Sequence, residues 1–84
     1  MTPEQLLRVA EEFCAVHRVR VRSFGALVGA AAVATARIEG IPVHADEAAA
    51  GRALAESVVR LAPLTARNEE FAEVAREVFR RLHT

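Results

Sequence analysis

Apolar residues recur at helical spacing in four stretches of this 84-residue chain, and three short breaks separate the stretches. In the first stretch Leu6, Val9, Ala10, Phe13 and His17 share one face, with Leu7 and Cys14 beside it. Thr2-Pro3-Glu4-Gln5 stands in front of that face. Thr2 can cap, proline suits the first helical position, and Gln5 completes a capping box, so a helix is predicted over residues 3–17. Val19 to Arg22 then alternate Val-Arg-Val-Arg, a period of two that predicts an extended connector. Ser23 caps a second helix, predicted over residues 23–38, with Phe24, Leu27, Val28, Ala31, Ala34 and Ile38 on its buried face. Thr35 lies on the same face and can bond back to the carbonyl one turn earlier. The small residues Gly25, Gly29 and Ala30 to Ala32 allow a neighbouring helix to approach closely.

Glu39-Gly40-Ile41-Pro42-Val43-His44 is the clearest break. Gly40 ends the second helix, and Pro42 pushes Ile41 towards an extended conformation. Asp46 is a good N-cap for a third helix over residues 46–61, with Glu47 favourable in its first turn. Its apolar stripe is Ala50, Leu54, Val58 and Leu61, and Glu56 and Arg60 form an i,i+4 pair. Pro63 stops it. Thr65 or Asn68 caps a last helix over residues 66–83, with Phe71, Val74, Ala75, Val78 and Leu82 turned to the core. Glu69, Glu70 and Glu73 come early and Arg76, Arg80 and Arg81 late, as the helix dipole prefers. The predicted fold is a single compact all-α domain, residues 1–84, of four helices with a short extended segment around residues 39–44.

Composition removes several function classes. Eleven basic residues balance eleven acidic ones, which argues against a dedicated nucleic-acid binder. Every basic residue is arginine, so chemistry that needs lysine is excluded: no Schiff base and no phosphate-loop lysine. The longest uncharged run, Ala26 to Ala36, is too short to span a bilayer, and no secretory signal opens the chain. One cysteine, Cys14, excludes an internal disulfide and fits a reducing cytoplasm. The Ala/Arg/Val bias is that of a high-GC bacterial coding sequence.

The candidate chemistry is sparse. Cys14 and His17 are neighbours on one helix face, but zinc needs three or four ligands, and His44 and His83 are not spaced to supply them. His44, Asp46 and Glu47 cluster at a helix start, where the same residues serve as caps. Arg18, Arg20 and Arg22 form the only local basic run and read as a solvated connector rather than a nucleic-acid patch, since no aromatic residue interleaves them. The run from Arg60 to Ala72 differs in kind. A helix ends at Pro63, a short loop follows, and Asn68 opens the next helix, a geometry whose free N–H groups suit an anion. Its first turn nevertheless carries Glu69 and Glu70, which oppose a phosphate there.

At this loop the chain resembles the Fic/Doc family, and more closely its short Doc (death-on-curing) toxin branch. The family motif is His-Pro-Phe-x-Asp-Gly-Asn-Lys-Arg, and the similar run here is Ala62-Pro63-Leu64-Thr65-Ala66-Arg67-Asn68-Glu69-Glu70. Pro63 and Asn68 match, and Leu64 is a mild change from Phe. The positions of the general-base histidine, the acidic residue and the phosphate-binding Lys and Arg hold Ala62, Ala66, Glu69 and Glu70. Residues 46–61 are similar to the helix leading into the motif. Val21 to Leu27 is similar to the family's Val-Arg-Asp-x-Gly-Leu-Leu, and residues 38–43 would occupy its flap.

Fic and Doc proteins transfer nucleotidyl or phosphoryl groups to protein hydroxyls, and Doc phosphorylates elongation factor Tu. The replacements remove the base and reverse the charge of the phosphate cradle, so the resemblance implies a pseudoenzyme with no catalytic residues, cofactor or metal. The expected function is that of a cytoplasmic protein-interaction module derived from a toxin–antitoxin system. Its partner would be an antitoxin-like protein or a complex subunit, with no nucleic acid and no membrane involved. In the family the flap pairs with an extended target by strand addition. The expected interface is therefore Ile41 and Val43 together with Pro63, Leu64, Arg67 and Asn68. Two alternatives stand beside it. One is a nucleotide- or phosphate-ligand domain without catalysis, with Arg67 supplying the charge. The other is a small helical oligomerisation or accessory subunit that self-associates through the small-residue face of the second helix.

Overall fold

A computed structural model describes residues 1–38 and 40–82, with the backbone alone at 37 and 38. Along the chain run α1 (Pro3–His17), α2 (Phe24–Ala34), a hairpin of β1 (Arg37–Ile38) and β2 (Ile41–Pro42), α3 (Glu47–Leu61) and α4 (Asn68–Leu82). The domain is all-α apart from that hairpin. Glu39, and His83 at the predicted end of the last helix, lie outside the described residues.

The helix starts follow their caps. Thr2 accepts from the Gln5 N–H and Gln5 returns a bond to the Thr2 N–H, which closes the capping box of α1. Ser23 accepts from Ala26 N–H at 3.1 Å, and Asp46 from Ala49 N–H at 2.7 Å. α3 is the central helix, packed on α2 along one side and α4 along the other, while α1 lies across α2 and α4. Leu6, Leu27, Leu54, Val58, Leu64 and Phe71 fill the space between them and are buried.

Three expectations need correction. The first concerns α2, which ends at Ala34, four residues before residue 38. Beyond Thr35 the chain turns, and Arg37 and Ile38 pair antiparallel with Pro42 and Ile41. The end of the helix is closed from outside itself: His44 Nε2–H donates to the Val33 carbonyl at 2.8 Å, and Val43 N–H to the Ala36 carbonyl at 3.0 Å. Those bonds offset the helical ones that a further turn would have made, so Ile38 belongs to a strand. Gly40, at φ 83°, supplies the left-handed residue that the tight connection needs.

The second correction is to the faces. Phe24 and Val28 lie on the outward side of α2, 53% and 38% exposed, because α3 covers only one flank of that helix. In α4 the buried set is Phe71, Ala72, Ala75 and Phe79, whereas Val74 and Leu82 are exposed. Phe79 packs over Gly51 of α3, where a Cβ would stand 3.5 Å from its ring, and with Phe79 in that seam Val74 faces out. The third is that Glu56 and Arg60 are not among the ion pairs, which for the described residues are Arg67–Glu70, Arg80–Glu77 and Arg81–Glu77.

Candidate functional site

The loop from residue 62 to 67 is built by two distant segments. Ala62 takes a left-handed conformation, φ 47°, and its N–H closes α3 on the Val58 carbonyl. The connector before α2 then lies antiparallel along the loop. Val21 bridges Leu64, Thr65 N–H donates to the Arg20 carbonyl at 2.8 Å, and Arg20 N–H to the Thr65 hydroxyl at 3.1 Å. The Pro63 carbonyl accepts from both Arg22 N–H and Ser23 N–H. The alternating Val-Arg-Val-Arg run, expected to be an extended connector, is extended here and pairs with the loop as well.

Arg22 departs from the solvated connector expected of it. Its guanidinium donates through Nε to the Ala62 carbonyl at 2.9 Å and through Nη2 to the Leu61 carbonyl at 2.9 Å and to Ala62 again. A cation at a helix C-terminus faces the negative end of the dipole and satisfies carbonyls that have no partner within the helix. The contact spans forty residues of sequence, and no local pattern announces it.

Asn68 and Arg67 complete the loop. The Asn68 carboxamide accepts from Leu64 N–H at 2.9 Å and donates to the Leu64 carbonyl at 3.0 Å. It thus holds the loop and does not cap α4, and Thr65 does not cap it either, its hydroxyl being engaged with Arg20. The first backbone bond of α4 runs from Phe71 N–H to the carbonyl of Arg67, itself left-handed at φ 58°. The Arg67 guanidinium sits on the Glu70 carboxylate at 3.1 Å. A shallow cleft of about 360 Å³ lies against this turn, lined by Val59, Ala62, Arg67, Asn68, Glu69 and Glu70. Two carboxylates and one already paired guanidinium give it the wrong sign for a phosphate.

Of the residues expected at an interface, Pro63 and Leu64 are buried, so they shape the loop from within and cannot meet a partner. Arg67 is exposed and Asn68 half-buried. Ile41 and Val43 are exposed, 70% and 50%. These two groups do not meet. The hairpin stands at the start of α3 and the loop at its end, so the helix's 15 residues separate them by about 22 Å. A single surface joining Ile41 and Val43 to the loop is not formed.

The hairpin has its own chemistry. Val43 N–H bonds to Ala36, so by antiparallel alternation the pair Arg37–Pro42 is a non-bonded one and its backbone groups point out of the hairpin. On the β2 edge that outward position belongs to Pro42, which has no N–H. Strand addition there lacks a donor, and the edge is blunted. Side chains alternate, so Ile41 and Val43 share a face opposite Pro42. A cleft of about 330 Å³ lies at this end, with Ala34, Pro42, His44, Asp46 and Phe79 in its lining. Three of its polar side chains are engaged: His44 closes α2, Asp46 caps α3 and the Thr35 hydroxyl donates to the Ala31 carbonyl.

Elsewhere the titratable side chains have structural surroundings. The His17 ring lies 4.2 Å from that of Phe13, and burial pushes the Cys14 thiol up, away from thiolate. No group of His, Cys, Asp and Glu among the described residues could hold a metal ion. Among the described residues no helix is long and apolar enough to cross a membrane. No family model, curated protein or solved structure matches this chain.

Proposed function

We propose that this chain is a non-catalytic protein-binding domain, a degenerate Doc-like helical core whose partner covers the solvent face of the β1–β2 hairpin. The observation that carries this reading is the pair Ile41 and Val43. Two β-branched aliphatic side chains stand 70% and 50% exposed on one face of a hairpin whose own core lies behind it. Pro42 on the β2 edge supports recognition through that side-chain face over strand addition at β2, which modifies the mode the resemblance implied. The loop supports the non-catalytic part of the reading: the positions of the family's base and phosphate cradle carry methyl groups at Ala62 and Ala66 and carboxylates at Glu69 and Glu70. The partner is an antitoxin-like protein or a complex subunit in a bacterial cytoplasm.

Co-expression with the products of the adjacent reading frames tests the proposal. A bound partner should co-purify with the wild-type chain and be lost, at least tenfold, from the Ile41→Asp/Val43→Asp variant. Undiminished capture by that variant would reject the hairpin as the binding face. Nucleotide binding by Arg67 gains no support, because its guanidinium is already on Glu70.

A further inference from the structure

α3 and α4 run antiparallel and leave a groove of about 520 Å³ along their outer faces. Its floor is small and apolar, formed by Ala55 and Ala72, with Val59 44% exposed at one edge. Six charged side chains rim it: Arg52, Glu56 and Arg60 from α3, and Glu69, Glu73 and Arg76 from α4. None of the six belongs to the ion pairs found among the described residues.

The helix register sorts these charges into levels. A Cβ at Gly51 would lie 3.6 Å from the Arg76 stem, so Arg52, the next residue, is level with Arg76 at the hairpin end. Four residues along α3, about 6 Å, Glu56 is level with Glu73. One further turn brings Arg60 level with Glu69 at the loop end. At the first two levels like charges face each other across the groove and cannot neutralise one another. The occupant that relieves them is a helix carrying an anion and then a cation one turn on.

The chain itself carries that order. Glu4, Arg8 and Glu12 stand four apart on α1, are exposed, and belong to none of the ion pairs among the described residues. From this complementarity we infer that α1 of one copy lies in the α3–α4 groove of a second copy, antiparallel to α3. Glu12 then meets Arg52 and Arg76, Arg8 meets Glu56 and Glu73, and Glu4 meets Arg60. The ends set the direction. Glu11 beside Glu12 brings a second carboxylate to the end with two guanidiniums, whereas Glu4 meets the end where Glu69 offsets Arg60. The small floor admits α1 closely, and the aliphatic stem of Arg8 covers Val59.

α1 packs on α2 and α4 and, among the described residues, does not touch α3, so its outer stripe and the groove meet different neighbours. The contact is therefore head-to-tail, and each added copy leaves one stripe and one groove free. Exposed ion pairs contribute little each and are screened by salt, so the association is weak and salt-dependent.

Sedimentation equilibrium of the whole chain at low ionic strength, from about 10 µM to 1 mM, reads this directly. The apparent mass should rise from 9.1 kDa past twice that value, and return towards the monomer in about 0.5 M salt. Two variants that keep the net charge decide which surfaces meet. Arg8→Glu/Glu12→Arg alters the stripe alone and Arg52→Glu/Glu56→Arg the groove alone, all at exposed positions. Each by itself should associate at least tenfold more weakly than the wild-type chain. Their equimolar mixture should associate again, because each supplies the surface the other lacks. Circular dichroism on each variant establishes that the helices persist. Glu12→Gln should weaken association more than Glu4→Gln, as the antiparallel direction requires. A monomer throughout the range, undiminished association of either variant alone, a mixture that stays monomeric, or a larger loss from Glu4→Gln overturns the inference.

Discussion

Among the described residues three non-glycine positions take left-handed backbone conformations, and two of them, Ala62 and Arg67, bracket the loop between α3 and α4. The left-handed region costs an L-residue on the order of 1 kcal/mol, so the surrounding bonds must hold the loop in place. Arg22 and Asn68 supply them. Replacing Ala62 by glycine removes the side-chain clash, and the thermal midpoint should rise by a few degrees, corresponding to about 0.5–1 kcal/mol in a domain of this size. Arg22→Ala should lower the midpoint, by about 1–2 kcal/mol in stability, through loss of its bonds to the Leu61 and Ala62 carbonyls. Lysine should restore little of this, since it lacks the planar fork that reaches both carbonyls. None of these roles is visible locally: Arg22 is one of three alternating arginines, and only the folded chain shows which of them meets a helix end.

Helix starts were legible because capping is a contact between neighbours. Thr2, Ser23 and Asp46 act within three residues of themselves, and each cap stands where the pattern placed it. Helix faces were less so. The stripe Phe71, Val74, Ala75, Val78 and Leu82 is a valid apolar face, yet Phe79 takes a buried place, packed over Gly51 of α3. That contact makes a measurable claim. A methyl at residue 51 would meet the Phe79 ring at 3.5 Å and the Arg76 stem at 3.6 Å, ordinary contact distances. Gly51→Ala should therefore stabilise the protein by up to about 1 kcal/mol through helix propensity, read as a higher denaturant midpoint. At the other end of α4, bonds from Arg80 and then Arg81 hold the Glu77 carboxyl below the usual carboxylate range. A carboxylate depressed in the folded state contributes stability above its unfolded pKa and loses it as pH falls through the folded value. Glu77→Gln should thus remove part of the acid-side slope of stability and leave the slope near neutrality unchanged.

Taken whole, the molecule separates what the chain had suggested as one surface. α3 stands between the hairpin and the loop, so Ile41 and Val43 face solvent at one end while Pro63 and Leu64 are buried at the other. The loop retains the outline of an anion site, but Arg67 and Glu70 neutralise each other across its entrance. A thermal-shift titration with ATP and magnesium should give no change in midpoint at millimolar nucleotide, whereas a saturable rise would show that the cleft still binds phosphate. By itself the sequence determined the helical class, the order of four helices, the N-caps of the first three and the break after the second, because periodicity, capping and turn chemistry act within about one turn of chain. The tertiary structure alone decided where α2 stops, which face of α4 is buried, that Arg22 closes α3, and that hairpin and loop never meet. Those outcomes depend on contacts between residues far apart in the chain, and a one-dimensional pattern does not record which distant group arrives to satisfy a carbonyl or fill a socket.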